Sequence, residues 1–133
     1  MSVMEGPRIP DECADAAGQL GQEFLASIYG VAARRHPENL EVLAELGHVY
    51  TRLGRYEEGL EVDRRLVAYA PEDPLHRYNL ACSLALLGRT SSALDALEHA
   101  VDLGYDDLKF LAADEDLSSL RAHPRFVALV GPA

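Results

Sequence analysis

The residues of this chain best equipped for chemistry stand near its end: Asp114, Glu115 and Asp116, with Lys109 and His123 close by. Carboxylates in that number could hold a hard cation, and a carboxylate beside a histidine could share acid–base work. Asp114, Asp116 and His123 are the set that such a metal or enzymatic site would use. A plainer role competes for the same residues, because acids in the first turn of a helix are stabilised by its macrodipole. Capping is the stronger reading. The sequence has no Gly-rich phosphate loop, CxxC, HExxH or nucleophile elbow to support a catalytic centre. Its five histidines lack ligand spacing, and Cys13 and Cys82 stand far apart. The two thiols suit a reducing compartment better than a disulfide framework. The expectation is a chain without catalysis, resident metal or cofactor.

What must position these residues is a set of amphipathic helices. Leu43, Leu46, Val49, Tyr50 and Leu53 make one stripe, which Gly54 ends. Tyr56, Leu60, Leu66 and Val67 make a second, closing near Ala70-Pro71. The pair then recurs. Residues 40–73 overlay 74–107 without a gap, with Leu46/Leu80, Leu53/Leu87, Gly54/Gly88, Arg55/Arg89, Leu60/Leu94, Val67/Val101 and Asp73/Asp107 identical. Asn39, Asp73 and Asp107 stand 34 residues apart, each a residue type that accepts from free amides in a helix's first turn. Gly47/Ala81 and Gly59/Ala93 keep small residues where two helices would cross. A hairpin of 34 residues cannot bury its apolar faces alone, so it stacks on copies of itself.

These residues resemble the tetratricopeptide repeat (TPR), whose pattern is matched by Leu43, Leu46-Gly47, Tyr50 and Pro71, and again by Leu80-Ala81, Ala93, Leu97 and Ala100. Upstream, Tyr29, Ala32 and Pro37 supply half a unit. The resemblance implies an all-α solenoid of helical hairpins, a right-handed superhelix, with an N-terminal helical extension and a C-terminal helical cap. The chain divides into an N-terminal helix or degenerate half repeat (1–36), repeat 1 (37–70), repeat 2 (71–104), and a partial repeat with cap (105–133). Residues 11–35 read as one helix or as two with a break near 18–21; Leu20-Gly21 lies 33 residues before Leu53-Gly54, one short of the period. Asp107, Asp114 and His123 are candidate caps for three short helical pieces near the end, and Pro124 suits the first helical position. Asp116 to Phe126 is similar to a segment that closes TPR arrays in many bacterial proteins.

The resemblance also implies a function: an adaptor that binds a peptide or helix of a partner on the concave face built by first helices. Carried over residue by residue, that face comprises Glu41, Glu45, His48, Arg52, Tyr78, Asn79 and Cys82, with Lys109 one repeat on. Asn79 is the sharpest, since an amide can bond a ligand's backbone as donor and acceptor together. Chaperone-type TPRs clamp a carboxylate with lysines, asparagines and an arginine. Here only Asn79 and Lys109 fit, and Glu41 and Glu45 would repel an acid. The ligand expected instead carries basic and apolar side chains. Asp63 and Arg77 depart from the pattern together, one standing where an aromatic is usual and the other where a bulky apolar residue is usual. They are expected to pair across the repeat junction, as an unpaired buried charge is costly.

The chain's formal charge of −10 over 133 residues repels phosphate backbones, so nucleic acid is not an expected partner. No apolar run approaches a membrane span, and the N-terminal stretch lacks the apolar core of a signal peptide, so the expected location is the cytoplasm. Two repeats give a shallow groove, and self-association through the N-terminal helix would compensate. A small acidic TPR chaperone for secreted bacterial proteins is the alternative within the same fold.

Overall fold

The computed structural model describes residues 11–131, with side chains from residue 18 onward, and all regular structure among them is helical. The helices are α1 (Asp11–Arg35), α2 (Leu40–Arg52), α3 (Tyr56–Tyr69), α4 (Pro74–Leu86), α5 (Thr90–Asp102), α6 (Leu108–Ala113) and α7 (Pro124–Val130). A 3₁₀ segment, Glu115–Leu120, lies between α6 and α7. Residues 11–35 form one helix; Gly18 and Gly21 do not interrupt it.

Punctuation follows the 34-residue period. Asn39 accepts from the Val42 N–H at 3.2 Å, Asp73 from Leu75 at 2.9 Å and Asp107 from Phe110 at 3.1 Å. At the other ends, Gly54 and Gly88 both take φ 74°, a conformation that side chains resist. Each lets the following arginine N–H reach back, Arg55 to the Tyr50 carbonyl and Arg89 to that of Leu84, the double-bonded C-terminal motif of helices.

The helices stack in chain order, α1 on α2, α2 on α3, α3 on α4 and α4 on α5, with the 3₁₀ segment folded back onto α4. Ala33, Leu43, Leu46, Val62 and Leu66 make one apolar cluster. A larger one runs from Leu60 through Ala81, Leu94 and Leu97 to Leu111, Leu117, Leu120 and Phe126 of the C-terminal cap. The repeated arginine ties neighbouring units: Arg55 Nη1 lies 3.4 Å from Glu23, and Arg89 Nη2 lies 3.0 Å from Glu57. Glu23 and Glu57 are themselves 34 apart, so the period continues into α1 through Glu23 and not through Leu20-Gly21. Such exposed pairs contribute little stability, but they mark the stacking register. Among the described residues no helix is long and apolar enough to cross a membrane.

The small residues sit at a helix crossing. A Cβ on Gly59 would lie 3.7 Å from Thr51 Oγ1 and Tyr50 Cβ, and 3.8 Å from the Gly47 carbonyl oxygen. A methyl group therefore fits, whereas a longer side chain would drive α2 and α3 apart. Gly59→Ala should raise the unfolding free energy by about 0.5–1 kcal/mol through helix propensity and a less flexible unfolded chain. Urea denaturation checks this, and a loss of stability would mean that the crossing is tighter than described.

Candidate functional site

The faces of α2 and α4 enclose a groove of about 360 Å³. His48, Thr51 and Arg52 line it from α2, and Leu75, Tyr78, Asn79, Cys82 and Ser83 from α4. Asp63 reaches it from α3, and Tyr105, Phe110, Asp114 and Asp116 close it from the C-terminal side. Leu75 and Phe110 are 53% and 55% exposed, so the groove offers apolar surface on two sides.

Its C-terminal wall arises from a broken helix. In the third unit Asp114 stands where Leu46 and Leu80 stand in the first two, and α6 stops there. Asp114 then caps the 3₁₀ segment, its Oδ1 accepting from the Asp116 N–H at 3.0 Å. Its Oδ2 accepts from the Tyr78 hydroxyl at 2.5 Å and from the Cys82 thiol at 3.9 Å. The Tyr78 ring stacks on Tyr105 with centroids 4.5 Å apart and planes within 6°. Gly104, at φ 113°, ends α5 with the same motif as Gly54 and turns the chain into Tyr105, where the family pattern has proline.

The electrostatics of the floor are acidic. Burial pushes the Asp63 carboxyl up to about 6, against the opposing effect of the 2.5 Å hydrogen bond donated by Ser83. Burial also raises Asp116, and the charge of Asp114 raises it further. The Cys82 thiol is pushed up by burial first and then by Asp114, Asp116 and Asp63, which keeps it protonated and a poor nucleophile. Burial and then the bond to Asp114 raise the Tyr78 hydroxyl in the same way. Three carboxylates thus face a groove whose lining cations are Arg52 and, when protonated, His48.

Of the residues expected on the concave face, His48, Arg52, Tyr78, Asn79 and Cys82 line this groove, whereas Glu41, Glu45 and Lys109 are exposed outside its lining. Glu41, Glu45, His48 and Arg52 share one face of α2, so the acids continue the groove's wall along the helix. Arg52 donates to Gln22 of α1 at 2.9 Å. Tyr78 is 3% exposed and its hydroxyl is engaged, which makes it part of the wall's packing rather than a free contact for a ligand. Phe110 and Tyr105 are the groove residues that the sequence reading leaves out. Asp114 and Asp116, singled out there for capping or a cation, join the groove's wall. The sequence signals are an aspartate at an apolar helix position and a tyrosine in proline's place.

One expectation is corrected, and the weaker alternative weighed for the cap residues does not form. Asp63 does not pair with Arg77: it bonds Ser83, and Arg77 donates to the Pro71 carbonyl at 3.2 and 3.3 Å. The antiparallel packing of α3 and α4 explains this. With Asp63 level with Ser83, Arg77 lies level with residue 69, about 9 Å further along the helix. Nor do Asp114, Asp116 and His123 form one group. His123 caps α7, its Nδ1 accepting from Arg125 N–H at 3.1 Å, while Cys82 joins the two aspartates with ligand atoms within 4.8 Å of one another. In that trio the Asp114 carboxylate is bonded through both oxygens, to Tyr78 and Cys82 on one side and the Asp116 N–H on the other, and so ties the cap to α4.

A larger hollow of about 430 Å³ lies over another face of α2, between α1 and α3. Part of its rim is engaged internally, Glu57 by Arg89, Glu58 by Arg55 and Arg65 by the Pro37 carbonyl, while Arg34 and Glu61 complete the lining. The groove between α2 and α4, not this hollow, gathers the residues expected on the concave face.

Helical hairpins stacked at a 34-residue period around such a groove define a class of binding scaffold. Residues 40–73 match the family model described as tetratricopeptide repeat, and the chain is a tetratricopeptide-repeat protein. It is 34% identical over 87 residues to a chloroplastic protein of Arabidopsis thaliana, covering 63% of this chain and 26% of that protein. It is 33% identical over 89 residues to the TPR repeat-containing thioredoxin TTL4 of the same plant, covering 67% of this chain and 11% of that one. The chain therefore spans about a quarter or less of the length of these relatives. Among solved structures, a crystal structure of MamA superimposes with a TM-score of 0.61 at 18% identity, covering 94% of this chain and 76% of MamA. That likeness is one of fold.

Proposed function

We propose that this chain is a cytoplasmic, non-catalytic adaptor that holds a peptide or helix of a partner protein in the groove between α2 and α4. The observation that carries this reading is the groove's composition. Exposed Leu75 and Phe110 flank a floor of Asp63, Asp114 and Asp116, and Asn79 stands half-buried beside them with donor and acceptor to offer a backbone. Apolar walls over an acidic floor suit a segment that carries Lys or Arg between apolar side chains. The acidic residues further along α2, Glu41 and Glu45, extend the same preference.

A positional library of extended peptides tests this, with affinity read by fluorescence anisotropy. The expected consensus has a basic residue flanked by apolar ones. Leu75→Ser with Phe110→Ser, both exposed and so tolerated by the fold, should weaken the best peptide by roughly 30-fold, the scale of losing two interface anchors. A preference for acidic peptides, or equal binding by the double variant, contradicts the assignment.

A further inference from the structure

The outer face of α1 carries a second recognition surface, separate from the groove. Leu20, Phe24, Ile28 and Val31 are 71%, 64%, 48% and 40% exposed, at the spacing of one helical stripe. Together they leave on the order of 400 Å² of apolar surface in water, the size at which an exposed patch marks an interaction site. Their arrangement is more specific than an apolar patch. Phe24, Ser27, Ile28 and Val31 line a shallow trough and stand at i, i+3, i+4 and i+7, the four positions that form the hole for a knob from a facing helix.

We propose that a second copy of this chain occupies this face, α1 packing antiparallel on α1 about a two-fold axis. The register follows from the trough. If the Phe24 side chain of one copy enters the hole of the other, symmetry returns the partner's Phe24 to the first, and Leu20 lies beside the partner's Val31. Charge selects the direction. The sequence of α1 begins with Asp11, Glu12 and Asp15 and ends with Arg34 and Arg35. Antiparallel pairing sets the basic last turn of each helix toward the end of the other whose sequence is acidic and opposes their macrodipoles, whereas parallel pairing sets like on like. Two chains joined this way present two grooves, which raises avidity for a partner that carries two binding segments.

Sedimentation equilibrium of the full chain near 100 µM should give twice the 14.5 kDa chain mass. Phe24→Glu with Ile28→Glu should give the single mass with unchanged helical circular dichroism, because both side chains are exposed. In a Cys13→Ser background, Leu20→Cys combined with Val31→Cys should form an intermolecular disulfide readily. Leu20→Cys alone should not, its two copies lying about 17 Å apart along the axis. A monomeric wild type, a dimer that survives the double glutamate variant, or ready cross-linking by Leu20→Cys alone would each overturn the proposal. The groove variants Leu75→Ser and Phe110→Ser should leave the mass unchanged, so the two surfaces fail or succeed separately.

Discussion

Tyr78→Ala lowers the unfolding free energy of this chain by about 3–5 kcal/mol, the cost of truncating a large buried ring. The ring is 3% exposed, stacks on Tyr105 and contacts Phe110 at a centroid distance of 6.2 Å. Removing it opens a cavity at the junction of α4 and the C-terminal cap, and it strips Asp114 of the Tyr78 hydroxyl. Tyr78→Phe separates the two contributions. It keeps the stack and loses the hydroxyl's bond, and should cost about 1–2 kcal/mol. Urea denaturation followed by circular dichroism measures both, and hydrogen exchange should show the cap, residues 105–131, losing protection first in the alanine variant. A cost below about 1 kcal/mol for Tyr78→Ala would mean that the ring is not the anchor described. Loss of ligand binding by Tyr78→Ala follows from damage to the wall, so Leu75 and Phe110 are the cleaner probes of the groove.

Asp63→Asn stabilises the chain at neutral pH. The Asp63 carboxyl is buried and held at about 6, above the ordinary carboxylate value near 3.9. A group whose folded value is raised favours the fold when protonated. The penalty is therefore absent below pH 4, grows between pH 4 and 6, and is complete above that. Asparagine accepts the same bond from Ser83 and never ionises, so the variant should gain about 2 kcal/mol at pH 7 and converge with the wild type near pH 4. Thermal unfolding across pH 4–8 measures the difference. A constant gap at all pH values, or a loss at pH 7, would show that the carboxylate is not the strained group. On the groove reading, the same substitution weakens a basic peptide by removing a charge from the floor.

The packing that repeats was legible in the sequence, and the site that does not repeat was legible only in part. Asn39, Asp73 and Asp107 cap as their types and spacing require, and Gly54 and Gly88 end helices where nothing else fits easily. Local rules suffice for such positions, because the partners are backbone groups a few residues away. Tyr78 lines the groove as its family position implies, but it is buried where that position normally faces open space. Here the third unit breaks at Asp114, and the 3₁₀ segment folds back to cover it. An aspartate at an apolar helix position is a visible signal of a break, but the direction of the chain after the break is set by packing on α4. Asp63 and Arg77 are complementary departures in the sequence, yet antiparallel register puts Ser83, a residue of no evident interest, at the aspartate. Pairings across helices depend on registers that composition does not carry.

The most direct test of the central claim is an amide chemical-shift titration of the isotope-labelled chain with the best basic–apolar peptide. The account predicts that shifts concentrate on His48, Arg52, Leu75, Asn79 and Phe110, saturating together, while the hollow over Leu46 and Val62 stays silent. Shifts centred on Ala33, Leu46 and Val62, or an absence of saturable shifts in the α2–α4 groove, would contradict it.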